Sequence, residues 1–186
     1  ITTPFTFIAT ASTILHQNAI PVFADINIED YNINPESIEE RISDKTKAVI
    51  AVHLCGQPAE IMDIKKICME RGLILIEDCA QAIGAEYDGV KVGSIGDVNA
   101  FSFYISKNIT TGEGGMVTTN NDEIAEKVKL MRSHGETSRY HYTTIGYNYR
   151  MTEIQAAIGI LQLRKIDELN NRRREIVKIY NDEISD

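Results

Sequence analysis

Two residues carry the chemistry of this chain. Asp78 closes an apolar run, Leu73-Ile74-Leu75-Ile76-Glu77, and Lys107 lies just past the next one, Val98 to Tyr104. An acid ending one strand and a lysine following its neighbour suit a pyridine aldehyde cofactor such as pyridoxal phosphate. The lysine amine can hold the aldehyde as a Schiff base and later move a proton, a role open to lysines in confined sites. The acid can hold the ring nitrogen protonated, so that the ring draws electrons from the substrate carbon. Each residue also has an ordinary use: Asp78 as a cap or turn residue, Lys107 as a surface cation at a strand end.

Neighbouring positions extend the pattern. Gln81, three residues after Asp78, can turn back to the same pocket and donate to a ring oxygen, or be a plain loop residue. Ser102, five residues before Lys107, can bind a phosphate or face an adjoining layer. Gly112-Glu113-Gly114-Gly115 reads as a tight turn. It lacks the third glycine of a dinucleotide fingerprint and leads into a strand instead of a helix. His53 ends a strand and reads as a structural histidine, and His134 before Gly135 reads as a helix end. The scattered histidines give no metal spacing, and no nucleophile elbow supports serine catalysis.

Those residues must be positioned by a layered domain. The 186 residues, 43% of them hydrophobic, suffice for one core and are short for two full domains. Apolar runs at 20–25, 47–53, 73–77, 98–104 and 115–119 read as strands covered on both faces. Between them lie helical patterns at 8–17, from Asn34-Pro35-Glu36, at 59–71 before Gly72, and at 121–133. The alternation predicts an α/β three-layer sandwich around a mostly parallel sheet. From Thr152 onward apolar residues recur at helical spacing for more than thirty positions, from Ile154 to Tyr180. This predicts one long or bent helix leaving the sheet domain toward a second, small domain. The expected division is therefore a large domain over 1–150 and the helix over 151–186. The chain opens without Met inside a strand and closes inside a helical pattern, so it reads as a fragment.

Composition narrows the partners. A net charge of −8 argues against nucleic acid, and Arg172-Arg173-Arg174 reads as a solvated helix face. Apolar runs fall short of the ~18 residues of a membrane span. Cys55, Cys68 and Cys79, odd in number and without CxxC spacing, fit a reducing cytoplasm.

Taken together and in order, several stretches resemble the DegT/DnrJ family of sugar aminotransferases, a branch of the fold-type I pyridoxal phosphate enzymes. They are Thr3 to Thr10, Val52 to Ala59, Glu77 to Ala82, Phe101 to Asn108, Gly112 to Thr119, and Gly146-Tyr147-Asn148-Tyr149-Arg150. The resemblance implies that Lys107 is the Schiff-base lysine and Asp78 the ring-nitrogen partner. It implies that Gln81 contacts the ring oxygen, Ser102 the phosphate, and Phe7 the ring face, with Phe5 a weaker candidate. Asn148 would be lent to the phosphate site of a neighbouring subunit, which implies a homodimer. Ile83 stands where the family often has His. The implied reaction moves an amino group, with glutamate as the expected donor, onto a keto-sugar nucleotide. Relatives that dehydrate sugars carry His in place of the lysine, so Lys107 points to the aminotransferase arm. A non-catalytic regulatory relative and a nicotinamide-dependent oxidoreductase are the alternatives, the latter without its glycine fingerprint.

Overall fold

The computed structural model describes residues 1–184. A four-stranded sheet forms its centre, in the order β1 (Ala48–Val52), β2 (Ile74–Asp78), β5 (Val98–Ser102), β6 (Gly115–Thr118). β1, β2 and β5 run parallel, while β6 pairs antiparallel with β5. Two short hairpins flank this sheet: β3 (Glu86–Tyr87) with β4 (Val90–Lys91), and β7 (Glu136–Ser138) with β8 (His141–Tyr142). The expected α/β architecture is present.

The predicted strand at 20–25 is reduced to one parallel bridge, between Phe23 and Thr2. Thr2 N–H donates to the Val22 carbonyl, and Ala24 N–H donates to the Thr2 carbonyl. Pro4 lacks the N–H that would carry the ladder on past Ala24. Residues 1–2 nevertheless lie beside β1, since Ile50 N–H donates to the Ile1 carbonyl. The sheet thus gains a ragged edge outside its regular strands.

Register sorts the side chains. In parallel pairing Ala51 stands opposite Glu77 and Glu77 opposite Asn99, while Asp78 stands opposite Ala100. Alternation along each strand then puts Val49, Ala51, Leu75, Glu77, Asn99 and Phe101 on one face. Asp78, Ala100 and Ser102 belong to the other.

On the first face lies α3 (Ile61–Arg71), whose buried Ile61, Ile64, Ile67 and Cys68 recur at helical spacing against Val49, Ala51 and Leu75. Burying each isoleucine contributes roughly 1.5–3 kcal/mol. Gly72 in the left-handed region ends this helix as expected (φ +63°). α2 (Pro35–Arg41) begins with Asn34, whose side chain accepts from Glu36 N–H. α1 (Ala9–His16) serves the opposite face, where Thr10 reaches Asp78. α4 (Asp122–Arg132) is capped by Asn121, which accepts from the N–H groups of Glu123 and Ile124.

The long C-terminal helix divides in two. α5 (Glu153–Leu163) starts with a capping box formed by Thr152 and Gln155, and α6 (Ile166–Glu183) follows a break at Arg164-Lys165. Both halves keep apolar residues at helical spacing, so the periodicity runs through a break that neither Gly nor Pro announces. Each half makes its own tertiary contact. α5 docks through Gln155, which donates to the Glu113 carbonyl at 2.8 Å. α6 docks through Asn170, which donates to the Ile83 carbonyl at 3.2 Å. These helices therefore pack on the sheet domain instead of simply departing from it. The last two residues of the predicted 151–186 segment lie outside the described ones.

Candidate active site

Asp78 sits at the carboxyl end of β2, and Ser102 at the carboxyl end of the adjacent parallel β5, on the same face. That edge is where open α/β sheets place ligands. Lys107 follows on the loop leaving β5. The loop is closed at its base, where Thr111 N–H donates to the Phe103 carbonyl at 2.9 Å, and Ile109 anchors it in the interior. Lys107 N–H donates to the Tyr104 carbonyl, which tightens the turn carrying the amine. Lys107 is half-buried, and among the described residues no acid forms an ion pair with it.

The Asp78 carboxylate is held from two sides. Oδ1 accepts from Ala80 N–H at 3.1 Å, and Oδ2 accepts from the Thr10 hydroxyl at 3.0 Å. Neither bond neutralises the charge, and among the described residues no cation pairs with it. A half-buried carboxylate with acceptor capacity left suits a protonated ring nitrogen.

Gln81 has a fixed amide orientation. Its Oε1 accepts from Cys55 N–H at 2.6 Å. A backbone N–H can only donate, so the oxygen must face Cys55, and the amide NH₂ is the end free to donate to a ring oxygen. Cys55 reaches that point in the left-handed region (φ 53°), followed by Gly56 at φ +87°. A side chain at Gly56 would press on the Gln81 carbonyl, with Cβ at 3.2 Å. Ser102 Oγ accepts from Tyr104 N–H at 3.3 Å, leaving its own O–H to donate to a phosphate.

The two candidate aromatics separate. Phe5 packs on Tyr31, ring centroids 5.8 Å apart, whereas Phe7 is 72% exposed. Phe7 is tied to α1, because its carbonyl accepts from Thr10 N–H at 3.1 Å. The structure thus brings Asp78, Gln81, Ser102 and the Lys107 loop to one sheet edge, with Phe7 linked to it through Thr10. It does not bring Asn148 there. Asn148 is exposed in a segment bridged to Ser133 at the end of α4, and its sequence neighbours Tyr147 and Tyr149 stack their rings on each other.

Two residues escaped the sequence reading. Thr10 carried no role, and its only signal was the i, i+4 spacing of hydroxyls with Thr6. Glu77 was hidden beside Asp78, although strand alternation turns it to the opposite face. There it is fully buried and accepts four hydrogen bonds. Three come from Gly93, Ile95 and Gly96 N–H, at 2.9, 2.8 and 2.6 Å. The fourth comes from His53 Nε2 at 3.0 Å. His53 Nδ1 accepts from Ala59 N–H, so the ring proton is on Nε2. Burial pushes the Glu77 pKa up, but the bonds from His53 and from the Gly93 and Gly96 N–H groups outweigh it and hold the carboxyl below its ordinary value. Gly96 permits the approach, since a Cβ there would lie 2.6 Å from Asn99 Oδ1 and 3.0 Å from the Leu75 carbonyl. Structural satisfaction, expected for His53, is what the ring has.

His53, Glu77 and Cys79 are also the one cluster with metal-binding spacing among the described residues. Both imidazole nitrogens and both carboxylate oxygens already have partners. Burial, with Glu77 and Asp78 nearby, pushes the Cys79 thiol far up. The cluster is a hydrogen-bonded brace between β1, β2 and the loop over 92–97.

The DegT/DnrJ/EryC1/StrS aminotransferase family model matches residues 1–186, and the chain belongs to that family. It is 45% identical to the GDP-perosamine synthase of Vibrio cholerae over 97% of this chain and 50% of that protein. It is also 45% identical to the pleiotropic regulatory protein of Geobacillus stearothermophilus, over 97% of this chain and 49% of that one. Among solved structures, Helicobacter pylori PseC, an aminotransferase involved in the biosynthesis of pseudaminic acid, superposes with a TM-score of 0.93 at 40% identity. That match covers 97% of this chain and 49% of PseC. The chain spans about half the length of the relatives it matches. Among the described residues no helix is long and apolar enough to cross a membrane.

Proposed function

We propose that the whole protein is a pyridoxal phosphate-dependent aminotransferase that converts a keto-sugar nucleotide into an amino sugar, with glutamate as amino donor. One observation carries this: Asp78 and Ser102 share a face at the carboxyl edge of adjacent parallel strands, and the Lys107 loop leaves that same edge. Relatives named as sugar-nucleotide aminotransferases support the substrate class. The site suits the cofactor in three respects: among the described residues Asp78 has no countercharge, Ser102 keeps a free hydroxyl hydrogen, and Gln81 presents its amide NH₂.

When bound, pyridoxal phosphate supplies an aldehyde and an electron-withdrawing ring. Lys107 Nζ would hold the cofactor through that aldehyde, and the same amine would serve as the base toward the proton on the donor's α-carbon. Asp78 would keep the ring nitrogen protonated, Gln81 Nε2 would donate to the ring oxygen, Ser102 Oγ would donate to the phosphate, and Phe7 would cover the ring face. Exposed Asn148 is presented to the phosphate site of a second copy, which makes the active form a homodimer. Residues 1–150 act as the cofactor-binding large domain, and the helices after 151 connect it toward a small domain. Three free cysteines, Cys68 and Cys79 buried and Cys55 exposed, accord with a cytoplasmic protein.

Lys107→Ala in the full-length protein is expected to abolish both amino transfer and the visible absorbance of bound cofactor. Retention of both would overturn the proposal. A regulatory role has one observation in its favour, the Geobacillus relative. Cofactor absorbance without transfer to any of a panel of nucleotide-linked keto-sugars would favour it.

A further inference from the structure

We propose that Thr10 is a positioning residue that aims the Asp78 carboxylate at the ring nitrogen; this rests on the cofactor reading above. Asp78 stands half-buried at the carboxyl end of β2, and two hydrogen bonds hold its side chain. One is local, Ala80 N–H to Oδ1 at 3.1 Å. The other comes from α1, 68 residues away in sequence, Thr10 Oγ1 to Oδ2 at 3.0 Å.

The direction of these bonds follows from the chemistry. An ionised carboxylate only accepts, so Thr10 gives Asp78 its single hydroxyl hydrogen. Thr6 Oγ1 lies 3.0 Å from Thr10 Oγ1. With the Thr10 hydrogen committed, Thr6 must donate. The result is a directed chain, Thr6 to Thr10 to Asp78, in which each donor polarises the next. Thr10 is only 4% exposed, so water cannot readily replace this partner. With one site taken on each oxygen, the remaining acceptor directions are fixed in space. Charge-assisted bonds of this kind give geometry as well as energy.

A structural role alone, pinning α1 to the sheet, would not depend on the ring nitrogen. The test exploits that difference. Apo full-length protein is titrated with pyridoxal phosphate and with its 1-deaza analogue, which has carbon in place of the ring nitrogen. The measured quantity is the ratio of the two dissociation constants. Thr10→Val is expected to cut the preference for pyridoxal phosphate by about tenfold, the scale of one hydrogen bond to a charge. Thr10→Ser should restore it to within about twofold, and Thr6→Val should lower it by about two- to threefold, as a bond one step removed. An unchanged preference in Thr10→Val, or equal weakening of both ligands, overturns the proposal. Should thermal melting show Thr10→Val to be unfolded, Thr10→Ala and Thr6→Val carry the same readout. A wild-type protein with no preference for the nitrogen would instead remove the role assigned to Asp78.

Discussion

Glu77 allows a quantitative test of what holds the site's strands in place. Replacing it with Leu leaves four donors unpaired in a pocket closed to solvent: His53 Nε2–H and the N–H groups of Gly93, Ile95 and Gly96. An unsatisfied buried donor costs about 1–3 kcal/mol, so even at the low end the sum reaches roughly 4 kcal/mol. Against a typical domain stability of about 5–15 kcal/mol, that is close to unfolding. Glu77→Gln separates geometry from charge. Its amide oxygen can still accept from Ile95 and Gly96, but its NH₂ then meets the Gly93 N–H and the His53 Nε2–H. His53 cannot relieve the clash by moving its proton, because Nδ1 would then confront the Ala59 N–H at 3.0 Å. We expect a loss of roughly 2–4 kcal/mol for Gln and more for Leu, read by urea denaturation of the full-length apo protein. Losses under about 1 kcal/mol for both variants would refute the brace, since no set of satisfied donors would then be at stake.

Other outcomes follow from the same contacts. The folded-state pKa of Glu77 lies below its ordinary value, so its stabilisation is present above the unfolded-state value and is lost as pH falls through the folded one. Stability of the wild type should therefore decline below about pH 4, and the decline should be shallower in Glu77→Gln. Asn170 accepts from Asn108 Nδ2 at 3.1 Å while donating to the Ile83 carbonyl, so it clasps the loops carrying Lys107 and Gln81. Asn170→Leu is expected to weaken cofactor binding by about tenfold, measured by fluorescence titration, with unaltered binding counting against the clasp. Gly84→Ala should give a similar but smaller effect, because its Cβ would lie 2.8 Å from Asn170 Nδ2 in a left-handed backbone (φ +85°). Burial, then the Asp97 charge, raises the Cys68 thiol to about 11, so alkylation at pH 8 should report unfolding, and fast labelling in the native protein would contradict its burial.

How much of this was legible beforehand depended on the distance over which each feature is specified. Helix ends at Asn34, Gly72, Asn121 and Thr152 were readable because capping is a contract between residues within one turn. Asp78, Ser102 and Lys107 were readable because strand ends in a parallel sheet share an edge. What failed was non-local. The strand expected at 20–25 needed a paired neighbour, and Pro4 lacks the N–H that would extend that pairing. The break at Arg164-Lys165 falls between two helices that dock separately, through Gln155 and Asn170 on carbonyls of distant loops, which helical periodicity does not encode. Glu77 and Thr10 were missed for a sharper reason. Two adjacent acids at a strand end look alike as letters, and only register shows that one faces the site while the other faces the interior. The division of labour follows: the sheet turns Glu77 inward, where His53 and the glycine-rich loop brace β1 to β2, and the same alternation turns Asp78 outward, where Thr10 holds it. A one-residue slip of β2 would exchange those environments. It would bury Asp78 away from Thr10 and turn Glu77 to the opposite face, so the buried brace that fixes register also keeps the Asp78 carboxylate in place.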